Sequence, residues 1–294
     1  LKSDASRLSE ISHYLLNLGG KRMRPVLAIL SSKLFGMKTP SPELIIAAAG
    51  IELIHMATLL HDDIIDASPM RRRKPSAYAK YGMSSTLLAG NFLLVRAFGL
   101  CAHLEKDIIT DTEAACVELT EGEELEGIID PTNPPTFENY LTIISKKTAS
   151  LFKLCAAIGA HLNKADQKAL ELAKIYGLEM GRAFQMIDDI LDITADEELL
   201  GKPAGTDLKQ KTPSLVNLLW LNSGDQKAKD FFALPKPTME EVKAMTTYLQ
   251  SSAILIEARK YAEDYASKSL KALQALKDYN VDPQISDYLQ ALIK

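Results

Sequence analysis

Cysteine is scarce in this chain of 294 residues: there are three, Cys101, Cys116 and Cys155. The number is odd, no two are close, and neither a CxxC nor a Cys/His set occurs. That excludes a disulfide framework and a zinc centre, and reads as buried thiols in a reducing compartment. Excess charge is lacking too. Lys and Arg total 34 against 38 Asp and Glu, a net charge of −4, so nothing calls for nucleic acid or an anionic membrane. The basic run RRRK at 71–74 is too short to reverse that reading. The most apolar segment, LIIAAAGI at 44–51, is bracketed by Glu43 and Glu52 and is too short to span a bilayer. There is no signal-peptide pattern, no low-complexity tract, no short repeat and no convincing alternation for a sheet. The Gly/Pro-bearing stretches at 18–20, 67–75, 130–135, 201–205 and 233–237 do not read as flexible linkers.

What is present is helical periodicity in almost every long segment, with 47% apolar and 24% charged residues to build a core. The pattern predicts helices over 3–17, 24–36, 42–66, 84–103, 107–129, 137–161, 166–192, 212–222, 238–250, 253–276 and 283–293. Ser41-Pro42 supplies a cap followed by proline in the first turn, Thr238 to Glu241 fits a capping box, and Thr136 caps the helix after Pro134-Pro135. The expectation is one all-α domain over 1–294, a bundle of about ten or more helices with its motif helices inside.

Two of those helices end in carboxylates. In LLHDDIID, Asp62 and Asp66 are four apart and share a face that Asp63 borders. In QMIDDILD, Asp188, Asp189 and Asp192 repeat the spacing. Like charges at this spacing repel, and burying them uncompensated costs far more. Both helices are strongly apolar upstream, so each runs through a core into an acidic tip that needs a cation. Hard oxygen donors with open positions suit Mg²⁺ bridging carboxylates to phosphates. Basic residues stand nearby in sequence: Arg71 and Arg72; Lys21, Arg22 and Arg24 in GGKRMRP; Lys202 and Lys211 in GKPAGTDLKQKTP. Carboxylates with such partners make a site for magnesium and two polyphosphate groups.

The ordered blocks GGKRMRP, IELIHMATLLHDDIID, the arginine pair 71–72, KKTASLF, and FQMIDDILD followed by GKPAGTD resemble the trans-isoprenyl diphosphate synthases, especially long-chain polyprenyl synthases, from about residue 11 to 220. The resemblance implies the isoprenoid synthase fold with helices around a central apolar cavity. It also implies condensation of isopentenyl diphosphate with an allylic diphosphate. In that reading Asp62 and Asp66, with Asp188 across the cavity, hold Mg²⁺, about three ions with substrate bound. Asp63, Asp189 and Asp192 are secondary ligands. Arg71, Lys147, Lys202 and Lys211 contact the allylic diphosphate. Thr148 and Gln185 lie beside the reacting carbons. Lys21, Arg24, His55 and Arg72 bind the diphosphate of isopentenyl diphosphate. The resemblance further implies a homodimer without membrane insertion. It implies a cytoplasmic enzyme, or a mitochondrial matrix one had a leader preceded Leu1.

The chain departs from that family in places. Arg73 stands where the family has Gly after the two arginines, Asn91 replaces the usual Asp in LLAGNFLL, and DLKQKTP is about one residue short. Ala57 and Thr58 lie one turn before the first cluster, where aromatic residues stop growth at short products in the family. From Ala57 to Asp62 is about 7.5 Å of helix rise. Their small size implies a product of C20 or longer, with Cys116, Leu119 and Leu125 candidates for the tunnel floor. Four competing readings carry less. A class I terpene cyclase would not consume isopentenyl diphosphate. A noncatalytic helical partner would show no magnesium-dependent turnover. A di-iron bundle using Glu52–His55 and Glu10–His13 leaves the aspartates unexplained. An HD phosphohydrolase at His61-Asp62 needs more histidines than the five present.

Overall fold

A computed structural model describes residues 1–195 and 204–293, and the architecture is all-α. Caps form where the sequence places them. The Ser41 hydroxyl accepts from Leu44 N at 3.2 Å, and Thr238 and Glu241 close a reciprocal capping box. Thr136 does the same with Asn139. Each satisfies N–H groups that a helix start leaves without partners. The described residues divide into two compact units.

The first unit comprises Leu1–Glu113, Leu154–Glu171 and Lys277–Leu289. It contains α1 (Ser6–Asn17), α2 (Met23–Leu34), α3 (Pro42–Ile65), the short α4 (Ala77–Tyr81) and α5 (Met83–Cys101). Helix α3 packs along α5 and against α2. Ile11, Leu15, Leu60 and Leu93 close a core with Ala57 and Ala89. Each such aliphatic side chain contributes up to about 1.5–3 kcal/mol when fully buried. The apolar stretch around 44–51 proves to be part of one 24-residue helix. Both α3 and α5 are long and apolar enough, by length and composition alone, to cross a bilayer.

Between α3 and α4 the chain forms what periodicity did not predict, a two-residue antiparallel ladder pairing Met70 with Pro75 and Arg71 with Lys74. Arg72 and Arg73 make its turn, with φ of 51° and 65°. Two consecutive left-handed residues are the signature of the tight hairpin turn that normally takes Asn-Gly.

The second unit comprises Ala114–Lys153, Leu172–Leu276 and Gln290–Lys294. The segment expected as one helix over 137–161 is α7 (Phe137–Ile144), a π-helical turn (Ser145–Ala149) and α8 (Ser150–Leu162). Helix α6 is Lys106–Glu126 and α9 is Gln167–Thr194. Then follow α10 (Thr206–Gln210), α11 (Leu215–Asn222), α12 (Gln226–Ala233), α13 (Met239–Gln250) and α14 (Ala253–Ala275). The last helix, α15 (Pro283–Ala291), belongs to the first unit up to Leu289. Trp220, fully buried, stacks among Phe231, Phe232 and Tyr248. Its indole donates to Asp225 Oδ2 at 3.0 Å, and Asp225 also caps α12. Buried indoles need such a partner.

Candidate active site

In the first unit the aspartates differ sharply in environment. Asp63 is fully buried and its Oδ1 accepts from Arg71 Nε at 2.7 Å. Asp62 is half-buried and Asp66, at the C-cap of α3, is exposed. Burial pushes the Asp63 carboxyl up, and Arg71 beside it pulls it part of the way back. Asp63 Oδ2 is enclosed with no hydrogen-bond partner among the described residues. Such an orphaned oxygen is costly unless something cationic reaches it. Its neighbours Asp62 and Asp66 offer hard oxygen donors of the kind a divalent ion takes, but among the described residues no three such groups converge into a preformed metal cage.

A cationic cluster occupies the same unit. Arg24 Nη1 donates to His55 Nε2 at 3.2 Å. The imidazole is pushed down to about 2, first by burial and then by Arg24, Arg72, Arg71 and Arg22. His55 is therefore neutral and acts as acceptor, which orients Arg24 without adding charge. Arg22 bonds Glu52 and the Leu16 carbonyl. Arg72 lies against Gly20, where a Cβ would stand 2.7 Å from both terminal guanidinium nitrogens, so a side chain at 20 would displace the guanidinium from this position. Burial, then Arg22 and Arg71, lowers the Arg72 pKa. Guanidiniums crowded enough to perturb one another need an anion. Lys21 is exposed beside them in the chain. The sequence offered Arg22 as one of three neighbouring cations, and nothing in it shows that Arg22 is the one that pairs with Glu52.

Ala57 and Thr58 separate. Ala57 is 0% exposed within the α1–α3–α5 core, whereas Thr58 is half-buried, its hydroxyl donating to the His55 carbonyl at 2.9 Å. Asn91 is exposed on α5.

In the second unit a buried chain of hydrogen bonds runs from the π-helical turn to the second acidic cluster. Thr148 Oγ1 donates to Gln185 Oε1 at 2.7 Å, and Gln185 Nε2 donates to Asp189 Oδ1 at 2.8 Å. Asp189 Oδ2 accepts from Tyr140 Oη at 2.7 Å and Leu215 N at 2.8 Å. Burial pushes Asp189 up, and these three donors oppose the shift. Asp192, also buried, accepts from Asp207 N at 3.0 Å and so anchors the chain after GKPAG. Asp188 is exposed. The π-helical turn, of a kind often found at functional sites, carries Lys146, Lys147 and Thr148. Tyr140, an interior anchor of the network, was invisible to a motif search because one tyrosine in an apolar helix carries no spacing signal.

Two lysines behave differently from expectation. Lys147 Nζ is held by Glu126 and, at 2.9 Å, by Glu123. Lys211 turns its ammonium to the carbonyl oxygens of Phe232 and Leu234. It thereby satisfies carbonyls at the end of α12. Lys202 lies outside the described residues. On α6, Leu119 is buried, Cys116 half-buried and Leu125 52% exposed.

The sequence matches the polyprenyl synthetase family over residues 5–249. The chain belongs to this family. Geranylgeranyl diphosphate synthase of Methanosarcina mazei is 34% identical, over 96% of this chain and 89% of its own. The crystal structure of heptaprenyl diphosphate synthase from Staphylococcus aureus superposes with a TM-score of 0.91 at 32% identity, covering 99% of this chain and 91% of that one. A polyprenyl synthase from Caulobacter crescentus CB15, solved with calcium and isoprenyl diphosphate, also reaches 0.91, at 31% identity over 99% and 89%.

Proposed function

We propose that this polyprenyl synthetase family member joins isopentenyl diphosphate head-to-tail, in trans, to an allylic diphosphate, over the chain as one domain, residues 1–294. It is a trans-prenyltransferase whose products are C20 or longer. The observation that carries the substrate reading is the crowd of guanidiniums around neutral His55, in the same unit as Asp62 and Asp66. Lys21, Arg24, His55 and Arg72 would bind the diphosphate of isopentenyl diphosphate. Arg71 and Lys147, with Lys202, would bind that of the allylic substrate. The reaction uses a divalent metal, for which we propose Mg²⁺, about three ions. Asp62, Asp66 and Asp188 would hold it, and the buried Asp63, Asp189 and Asp192 would fix the carboxylate-bearing helix ends. When bound, the metal neutralises charge on the leaving diphosphate.

The chemistry asks little else of the protein. The allylic C–O bond breaks and pyrophosphate leaves. The double bond of isopentenyl diphosphate attacks the allylic carbon to make the new C–C bond, and a proton departs to the released pyrophosphate. Fixed cations favour that separation of charge. Thr148 donates its hydroxyl hydrogen bond to Gln185, so the lone pairs of its oxygen would be available to the developing allylic cation. Apolar walls must exclude water from that cation.

We further propose a cytoplasmic homodimer that binds no nucleic acid and is not inserted in the membrane. Exposed apolar side chains along α5, including Leu88 at 57% and Val95 at 70%, support self-association. Incubation with farnesyl diphosphate and labelled isopentenyl diphosphate tests the reading. Label should enter products of C20 or longer only with Mg²⁺ present. A protein that stops at C15 refutes the length, and one that ionises prenyl diphosphate without consuming isopentenyl diphosphate is a cyclase.

A further inference from the structure

Lys147 is the most tightly held cation of the π-helical turn. Its ammonium bonds Glu126 Oε2 and stands 2.9 Å from Glu123 Oε2. The three side chains are 26%, 24% and 21% exposed, so water screens them only in part. Helix α6 can bring both carboxylates so close because residue 122 is glycine. A Cβ there would collide with the backbone of Lys147. Neighbouring lysines pair along the same helix, Lys146 with Glu121 and Lys153 with Glu118, but Lys147 alone of these has two glutamates.

Two carboxylates face the one ammonium, so a diphosphate meets their like charge and can reach Lys147 only by displacing them. Burial disfavours the Lys147 charge, yet Glu126 and Glu123 outweigh it and lift the pKa above its ordinary value. The ammonium is therefore never released by deprotonation at working pH. It can change partners only by exchanging one anion for another.

We propose that Glu123 and Glu126 are positioning residues forming a latch on Lys147, and that the allylic diphosphate binds by taking the ammonium from them. This rests on the reading of Lys147 as a diphosphate contact. The latch weakens the grip on any diphosphate, the pyrophosphate product included, and so hastens its release.

Calorimetric titration with inorganic pyrophosphate and Mg²⁺ tests it in four proteins: wild type, Glu123→Gln/Glu126→Gln, Lys147→Met and the triple variant. The double variant should bind roughly three- to fivefold tighter, the fold-change of an ion pair worth about 1 kcal/mol. Its KM for the allylic substrate should fall by the same factor without a rise in kcat. Glu126→Asp, which keeps a carboxylate, should return toward wild-type affinity. The gain should shrink in the Lys147→Met background, because there is no ammonium to unlatch. An equal gain in both backgrounds means simple repulsion and overturns the latch, as does unchanged or weaker binding by the double variant. Unaltered pyrophosphate binding by Lys147→Met overturns the underlying role of Lys147 instead.

Discussion

Replacing His55 by Gln tests the electrostatics of the arginine cluster through stability alone. His55 is held neutral in the native protein, with a pKa pushed down to about 2, whereas an unfolded histidine titrates near 6.5. Below pH 6.5 the unfolded chain gains a proton that the native protein refuses. Stability from this site is therefore complete above about pH 6.5 and is lost as the solution becomes more acid. At pH 5 the loss is RT ln(1 + 10^1.5), or about 2 kcal/mol, and at pH 7.5 it is close to zero. The figure barely depends on the native value, provided that value stays well below 5. Gln at 55 keeps an acceptor for Arg24 but cannot titrate. The expected result, from urea unfolding at both pH values, is that wild type loses about 2 kcal/mol more than His55→Gln between pH 7.5 and 5. Ordinary carboxylates cancel in that difference. Parallel losses, within about 0.5 kcal/mol, would show that the imidazole protonates normally and that the guanidiniums do not crowd it.

Two other substitutions follow from backbone and packing. Arg73 sits at φ 65°, a conformation that costs an L-residue about 1–2 kcal/mol, partly offset because glycine loses more entropy on folding. Arg73→Gly should stabilise by about 0.5–1 kcal/mol, read as a higher urea midpoint at constant m-value; a lower midpoint refutes the strain argument. Thr58→Phe should shorten the main product by at least about one isoprene unit, since a ring there projects from a half-buried position. Ala57→Phe must overpack a closed core and should cost about 1–3 kcal/mol. An unchanged product distribution from Thr58→Phe removes that residue from the tunnel wall.

Long amphipathic helices with recognisable caps were legible. Pro42–Ile65, Ala253–Ala275 and Met239–Gln250 lie within about two residues of the positions predicted, because Ser41 and Thr238 announce their starts and periodicity carries the rest. Helix α12 was missed although Asp225 caps it and Ala228, Phe231 and Phe232 line one buried face; two turns give too short a window for periodicity to register. The RRRK hairpin was illegible because no glycine marks its turn. The π-helical turn was illegible because a single extra residue within a helix leaves the apolar pattern nearly intact. Both aspartate triads were visible in the sequence as a repeated spacing. That spacing could not show that Asp63, Asp189 and Asp192 are the enclosed members, since adjacent aspartates on a helix end differ only in what packs against them. The carbonyl partners of Lys211 were illegible because they come from residues about twenty positions later.

The π-helical turn at Ser145–Ala149 sets laboratory evolution for heat resistance against activity. Deleting one residue there would let the segment close into an ordinary α-helix with better hydrogen bonding. The shortened helix could not aim one side chain at Glu126 and the next at Gln185. A library screened only for survival at high temperature would therefore enrich such deletions and collect robust, inert proteins.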